Sequence, residues 1–593
     1  MNERRIDLKQ WLPTTKKEME LRGWEQLDVI LFTGDAYVDH PSFGAAVIGR
    51  LLESFGLQVA IVAQPNWQDD LRDFTKLGRP RLFFGITSGN MDSMVNHYTA
   101  NKRLRSNDAY TPGGEQGKRP DYASVVYSRI LKDKFPDVPV LLGGIETSLR
   151  RFVHYDYWGD SLHKPILADT GADLLVYGLG EKVIREIVTR LQAGQSFSDL
   201  RDVQQTAYMC SPEEAPDGMR LFSYEECLEK KMCYADNFRH IETESNKHHA
   251  SVLLQDTGGK TLVVNPPYPY LKTEDLDAVY KLAFTYLPHP KYAKRGPIPA
   301  YEMIKFSSNI HRGCFGGCSF CTISAHQGKF ISSRSEDSVV EEIRKIQTLP
   351  DFKGYISDVG GPSANMYQMQ GKDLSICEQC ARPSCISPSI CKNLNTDHTR
   401  LLELYRRLRD LPGIKKLTIG SGIRYDMLAA NTPIDLQYKS ELVQHHVSGR
   451  LKVAPEHTSP EVLKLMRKPS FDLFRDFKKE FEMLNKKHGL NQQLIPYFIS
   501  SHPGCSDQDM GQLSSSIKDL GIKPEQVQDF TPTPMTLSTV IFYTGINPYT
   551  NKPVYTAKTK EEKLAQKEHF FWYEKNNRPK TAPQVKHQGK KRR

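Results

Sequence analysis

Apolar residues recur along this chain in short unbroken runs, separated by stretches of helical spacing. The run LDVILF (residues 27–32) is followed by PSFGAAVIGRLLESFG, where Ala46, Ile48, Leu51, Leu52 and Phe55 fall near helical spacing and Gly56 supplies a stop; LQVAIVA comes next. Further runs follow at 81–86, 139–145 and 173–178, the last leading into a helix from Glu181. Runs that are apolar at every position and too short for helices mark strands covered on both faces. Residues 25–191 therefore predict a Rossmann-like open parallel sheet with helices on both sides. The Gly-, Pro- and charge-rich stretch 103–122 predicts a mobile loop.

From 192 to 297 the periodicity weakens, and this stretch is assigned as a connecting region. A second alternating series then begins. Strands are predicted at 303–310, 354–360, 415–420, 450–454 and 493–500, with a last one at 527–530 or 539–543. Helices are predicted between them at 337–348, 399–410, 439–446, 471–488 and 507–520. About six strand–helix units over 298–548 predict a partial β/α barrel with its active site at the carboxyl ends of the strands. The fold class is α/β: an N-terminal extension (1–24), a Rossmann-like domain, the connector, the barrel-like core with a cysteine-rich insertion at 377–391, and a basic, disordered tail 549–593.

The length of 593 residues agrees with more than one core. The formal charge of +10 is not spread evenly: residues 556–593 hold 12 Lys and Arg against 4 Glu. The last stretch, NNRPKTAPQVKHQGKKRR, predicts a disordered basic tail, either a plain solvated end or a weak contact with RNA or ribosomes. No run approaches the roughly 20 apolar residues of a membrane span. The opening MNERRIDLKQWLPTTKKEME is too charged for a signal peptide, so a cytoplasmic location without membrane contact is expected. Seven of the 11 cysteines lie between Cys314 and Cys391, and in such a compartment this clustering favours metal binding over disulfides.

The densest group is HRGCFGGCSFC, which sets Cys314, Cys318 and Cys321 directly after the first strand of the second series. Three thiolates on one tight loop can hold three irons of a cubane and leave the fourth open. Structural zinc instead wants four protein ligands. Gly313, Gly316 and Gly317 suit a backbone that wraps closely around such a cluster. A second group, CEQCARPSCISPSIC, supplies Cys377, Cys380, Cys385 and Cys391, enough for a complete site of zinc or an iron–sulfur cluster. An unmetallated loop is the other reading.

Cys-x3-Cys-x-aromatic-Cys, with Phe320 before Cys321, resembles the signature of the radical S-adenosylmethionine (SAM) superfamily. With SDVGGPSANMY, SGIRYD, KVAPEHTS, PYFISSHPG, DAYVDHPSFG and GGIETSLRR, nearly the whole chain resembles the YgiQ-type radical SAM proteins, an uncharacterised family. The resemblance implies a 4Fe-4S cluster on Cys314, Cys318 and Cys321, and SAM chelated by the open iron. It further implies cleavage of SAM to methionine and a 5'-deoxyadenosyl radical, Phe320 as an adenine contact, and an electron donor such as flavodoxin or ferredoxin. Gly360-Gly361-Pro362 stands where the superfamily often has Gly-Gly-Glu, so only backbone contacts by Gly360 and Gly361 carry over. Arg424 either pairs with the SAM carboxylate or forms a salt bridge with Asp426 or a neighbouring helix. Glu456, His457 and His502 close later strands and are candidate acids, bases or ribose contacts, with a structural role as the plainer reading of the histidines.

The first domain also resembles the cobalamin-binding domains that precede some radical SAM cores. Their cobalt-ligating pattern is Asp-x-His-x2-Gly, whereas this chain has Asp39-His40-Pro41-Ser42-Phe43-Gly44. Cobalamin is therefore not expected; a substrate-binding or structural role is, with His40 capping the next helix. The leading function is an enzyme that generates a radical from SAM and acts on an unknown substrate. The alternative is a non-catalytic zinc or iron–sulfur protein that binds nucleic acid or ribosomes. Among enzymes, methylthiotransfer is disfavoured because the first domain lacks three cysteines arranged for a sulfur-donating cluster.

Overall fold

The strand Val29–Thr33 is buried at all five positions, as a strand covered by helices on both faces requires. It pairs in parallel with Val59–Ala63 on one side and Phe83–Thr87 on the other. Val140–Leu142 and Leu174–Val176 continue the parallel ladder. In the computed structural model, which describes residues 7–268 and 270–573, each apolar run of the first series yields one of these strands. The helices Gly44–Ser54 and Glu181–Gln192 pack on one another against the sheet.

The sheet is mixed and has nine strands. Four of them, Thr206–Cys210, Met219–Leu221, Leu253–Thr257 and Lys260–Val264, come from the stretch assigned as a connector. Antiparallel pairing joins Thr206–Cys210, Lys260–Val264 and Leu253–Thr257 in turn to Leu174–Val176, and Met219–Leu221 adds to Leu253–Thr257 in parallel. Their apolar signal is diluted by buried polar residues that the fold satisfies. Gln255, for example, accepts from Val153 N at 2.9 Å and donates to Phe222 O at 3.0 Å. The 103–122 stretch is not free either: Arg119 is fully buried, 2.6 Å from Asp35 Oδ1, and donates to Ser88 O at 2.8 Å.

The second series runs parallel in the expected chain order. Ser307–Asn309 pairs with Asp358–Gly360, and Tyr355–Ile356 with Lys416–Leu417. Arg450–Glu456, Gln493–Ser500 and Gln526–Asp529 form a three-stranded parallel sheet. Among the described residues no ladder joins Lys416–Leu417 to Arg450–Glu456, so the described strands form parallel segments, and a continuous six-unit barrel is not what they show. One expectation is corrected. Residues 303 and 304 belong to the helix Pro299–Ile304, and the strand starts at Ser307. Of the two positions offered for the last strand, 527–530 is met by Gln526–Asp529, whereas 539–543 lies in the helix Leu537–Thr544, capped by Thr536, because a short buried apolar run does not by itself tell helix from strand.

The final segment is structured through residue 573. The helix Lys560–Glu568 opens with a Thr559/Glu562 capping box. Its Gln566 accepts from Ser501 N and donates to Cys505 O, both at 2.8 Å. The disorder expected for 549–573 is thereby corrected, while NNRPKTAPQVKHQGKKRR lies outside the described residues. Among the described residues no helix is long and apolar enough to cross a membrane.

The buried pair Arg119–Asp35 generates a test. Burial pushes the Asp35 carboxyl up to about 6, against the pull of Arg119, so removing the cation strands an unpaired acid. Arg119→Met is expected to cost about 3–5 kcal/mol in denaturant unfolding at pH 7, and Asp35→Asn in the same background to recover part of it.

Candidate active site

The strand His311–Arg312 and its antiparallel partner Ser332–Ser333 pin the two ends of the HRGCFGGCSFC loop. Within it, Cys314 N donates to Gly328 O at 3.1 Å, Gly313 N to Gln327 Oε1 at 3.1 Å and Cys321 N to Cys318 O at 3.1 Å. Gly317 has φ +59°, and a Cβ there would lie 2.2 Å from Pro383 O. A Cβ at Gly316 would lie 3.2 Å from Cys314 Sγ and 3.9 Å from Cys318 Sγ. Those two sulfurs therefore flank Gly316, no further apart than the sum of these distances.

The three partly buried thiols act on one another electrostatically. Loss of solvent, then the neighbouring thiols, raises Cys314, and the same causes push Cys321 up to about 12. A cationic partner suits Cys314 and Cys321, because its positive charge offsets both effects. Among the described residues no three His, Cys, Asp or Glu side chains are placed to hold a single metal ion. That geometry disfavours one zinc ion on these thiols. It is compatible with a cluster, where each thiolate binds its own iron.

Arg424 supplies positive charge beside the loop. Its Nε and Nη2 meet Asp426 at 2.8 and 2.7 Å, and its Nη1 lies 3.6 Å from Cys318 Sγ. The salt bridge with Asp426 is thus formed, and the remaining N–H still faces the cysteines. Asn365 fixes the backbone there, accepting from Arg424 N at 2.8 Å and donating to Arg424 O at 3.1 Å.

Gly360 ends its strand opposite Asn309. Gly361 lies against the His311 ring, where a Cβ would stand 2.5 Å from Cε1. His311 itself escaped the sequence reading, although it sits three residues before Cys314. It is fully buried, and neither ring nitrogen has a hydrogen-bond partner. Burial pushes it down to about 3.

Glu456 ends its strand at a register shift with φ +67°, a costly backbone for a residue with a side chain. Burial raises its pKa, and Lys468, 3.5 Å away, lowers it. Its charge is also felt at Cys321.

The two histidine candidates are bonded within the fold. His457 accepts from Ser459 N at 3.0 Å and has Nε2 3.4 Å from Cys505 Sγ. Nδ1 of His502 meets Pro503 O at 2.8 Å, so it must donate, and Nε2 then accepts from Ser538 Oγ at 2.7 Å. Burial pushes them down to about 4 and about 3, so both are neutral. Each is committed to packing. Ser538 also meets Ser319 of the loop at 2.8 Å, which makes His502 a positioning residue. The Phe320 ring stands edge-on to His502, 6.0 Å between centroids.

A cavity of about 410 Å³ opens beside the loop. It lies at the carboxyl ends of Val29–Thr33 and Phe83–Thr87, where the strand order of the first sheet reverses, the usual ligand position in open α/β sheets. Its floor includes Leu31, Ile86 and Val176, and its far wall carries Arg312, His326 and Gln327 from the core. Arg312 is ion-paired with Glu181, and His326 Nδ1 lies 3.1 Å from Ser148 Oγ, so the first sheet and the cysteine loop share this wall.

Residues 11–307 match the family model "Radical SAM N-terminal", and residues 525–592 match a domain of unknown function. The UPF0313 protein of Bacteroides thetaiotaomicron is 61% identical over 591 residues, covering 96% of this chain and 95% of that one. The UPF0313 protein of Porphyromonas gingivalis is 60% identical, covering 96% and 91%. Among solved structures, the radical SAM methyltransferase TsrM from Kitasatospora setae, with cobalamin and a 4Fe-4S cluster bound, has a TM-score of 0.47 at 16% identity, over 86% of this chain and 74% of that one. The cobalamin-dependent radical SAM enzyme OxsB with aqua-cobalamin bound has a TM-score of 0.47 at 11% identity, over 90% and 57%.

The argument against cobalamin is corrected by these neighbours, both of which carry cobalamin. That argument rested on one axial-ligand pattern alone. His40 Nδ1 accepts from Ser42 N at 3.1 Å, in the turn before the helix Gly44–Ser54. Its ring packs edge-on to Tyr286, 5.0 Å between centroids. Burial, then Lys345, pushes it down to about 3. The unfolded chain binds a proton at this residue below about pH 6.5 and the native chain does not, so stability is lost on acidification. His40→Gln is expected to flatten the fall of unfolding free energy between pH 6.5 and 5 by about 1.4 kcal/mol per pH unit, read from urea midpoints.

Proposed function

Because this chain belongs to the UPF0313 family and carries a radical SAM N-terminal domain, we propose that it is a radical SAM enzyme whose Cys314, Cys318 and Cys321 hold a 4Fe-4S cluster. The observation that carries the reading is the bunching of three thiols on one glycine-rich loop, with an Arg424 N–H facing Cys318. Bound there, the cluster supplies the single electron that cleaves SAM to methionine and a 5'-deoxyadenosyl radical, the electron coming from a donor such as flavodoxin or ferredoxin.

The chain's own groups divide the remaining work. Arg424, braced by Asp426 and Asn365, keeps a cation beside the thiolates and offers Nη1 to the SAM carboxylate. Gly360 and Gly361 offer backbone contacts to the amino-acid end of SAM, and Phe320 offers an apolar face to adenine. Glu456, held near Lys468, is the acid best placed to touch ribose or move a proton. The cavity at the strand-order reversal receives the second reactant, whether substrate or a further cofactor, with apolar bulk toward Leu31 and Val176 and polar groups toward Arg312 and His326.

Anaerobic reconstitution with iron and sulfide should give a brown protein that releases 5'-deoxyadenosine from SAM under reduction. Cys318→Ala should abolish that release, and persistent cleavage in this variant would remove the assignment. Arg424→Lys, which loses the fork, should weaken SAM binding roughly ten- to hundredfold in equilibrium dialysis while keeping the iron content.

A further inference from the structure

The insertion holding the second cysteine group is a closed structure of its own. An antiparallel bridge between Gly371 and Leu394 joins its ends. Lys372 N donates to Asn393 O at 2.6 Å and Asp373 N to Asn393 Oδ1 at 2.9 Å. Asn393 Nδ2 then reaches Cys377 Sγ at 3.4 Å. Inside the loop, Cys380 N donates to Cys377 O at 3.1 Å and Cys391 N to Cys385 O at 2.7 Å. These bonds draw residues spread over the sequence into one place.

The sulfurs meet donors and a cation. Arg382 N points at Cys380 Sγ from 3.4 Å. Lys329, 3% exposed, reaches in from the far side of the first cysteine loop. Its Nζ lies 3.9 Å from Cys380 Sγ and donates to Arg382 O at 2.8 Å. A buried ammonium and a backbone N–H thus meet the sulfur of Cys380, and the Asn393 amide meets that of Cys377. A buried lysine is an expensive neighbour for uncharged thiols and a natural one for a negatively charged thiolate assembly.

The same loop is fastened to the first cysteine site. Cys385 N donates to Phe315 O at 3.0 Å and Ser384 Oγ to Gly316 O at 2.8 Å. Pro383 O closes on Gly317. Phe315, Met366, Met369, Ile386, Leu394 and Met427 form a small apolar cluster, and Cys314, Cys385 and Cys391 all pack against it. One dry partition therefore separates the two sets of sulfurs.

We propose that Cys377, Cys380, Cys385 and Cys391 hold a second iron–sulfur cluster, seated against the back of the Cys314 loop. Zinc requires its thiolates to converge at about 2.3 Å on one point. Among the described residues no three of these side chains do so. A cluster takes each thiolate on its own iron and accepts hydrogen bonds at its sulfurs, which Arg382 N, Asn393 and Lys329 supply. The assignment stands apart from the first site, because its four ligands belong to the insertion.

The full chain, reconstituted anaerobically with ferrous iron and sulfide, is analysed for iron, sulfide and zinc and by Mössbauer spectroscopy. The variant lacking the first site, C314A/C318A/C321A, is expected to keep between a third and a half of the wild-type iron and sulfide, as two or four irons per chain. C380S/C385S is expected to lose that fraction and keep the SAM-responsive signal of the first site. Iron and sulfide for only one cluster in the wild-type chain overturns the proposal, even if the variants fail to fold. Zinc in place of iron in the first-site variant, or mass-spectrometric disulfides among the four cysteines, overturns it equally.

Discussion

Crowding of three partly buried thiols on one short loop is the constraint around which the core is arranged. Loss of solvent, then the neighbouring thiols, raises Cys314 and Cys321, so positive charge beside the loop is favourable. Arg424 supplies part of it from within the chain, held by Asp426 and Asn365 at an angle that leaves one N–H for Cys318. The backbone meets the steric side: Gly316 leaves open the space between two sulfurs, and Gly317 lets Pro383 approach to a distance no side chain would allow.

Support for this loop comes from segments far apart in the chain. Ser319 is bonded to Ser538, which is in turn held by the neutral His502. Arg467 reaches Gly317 O at 3.4 Å while paired with Glu242. The insertion closes the remaining side through Ser384 and Cys385. A loop that must hold a reactive group steadily is thus braced by packed elements, which is how precise sites are kept.

The first sheet is part of the same apparatus. Its carboxyl edge and the helix after the cysteine loop enclose one cavity, and the Arg312–Glu181 pair and the His326–Ser148 contact tie the two walls together. A ligand in that cavity would touch Arg312 and Gln327, both within two residues of the loop's hydrogen-bonded ends. Such a ligand would therefore meet the side chain, Gln327, that holds Gly313 N of the cysteine loop.

Local signals in the sequence were enough for the five parallel strands of the first sheet, most helices of the core and the cysteine triad, because those features rest on short-range periodicity and on ligands set within eight residues. Family membership followed from the same motifs. Long-range pairing was not legible. The strands between 206 and 264 carry buried Gln and Thr whose partners lie elsewhere in the chain, and 539–543 is helical because of its cap and surroundings. The surroundings of the histidines were likewise legible only in three dimensions: His457 and His502 look available in sequence, but burial keeps them neutral and their nitrogens are bonded within the fold. A residue's chemical type is written in the chain, whereas its protonation, partners and access depend on which distant segments close around it.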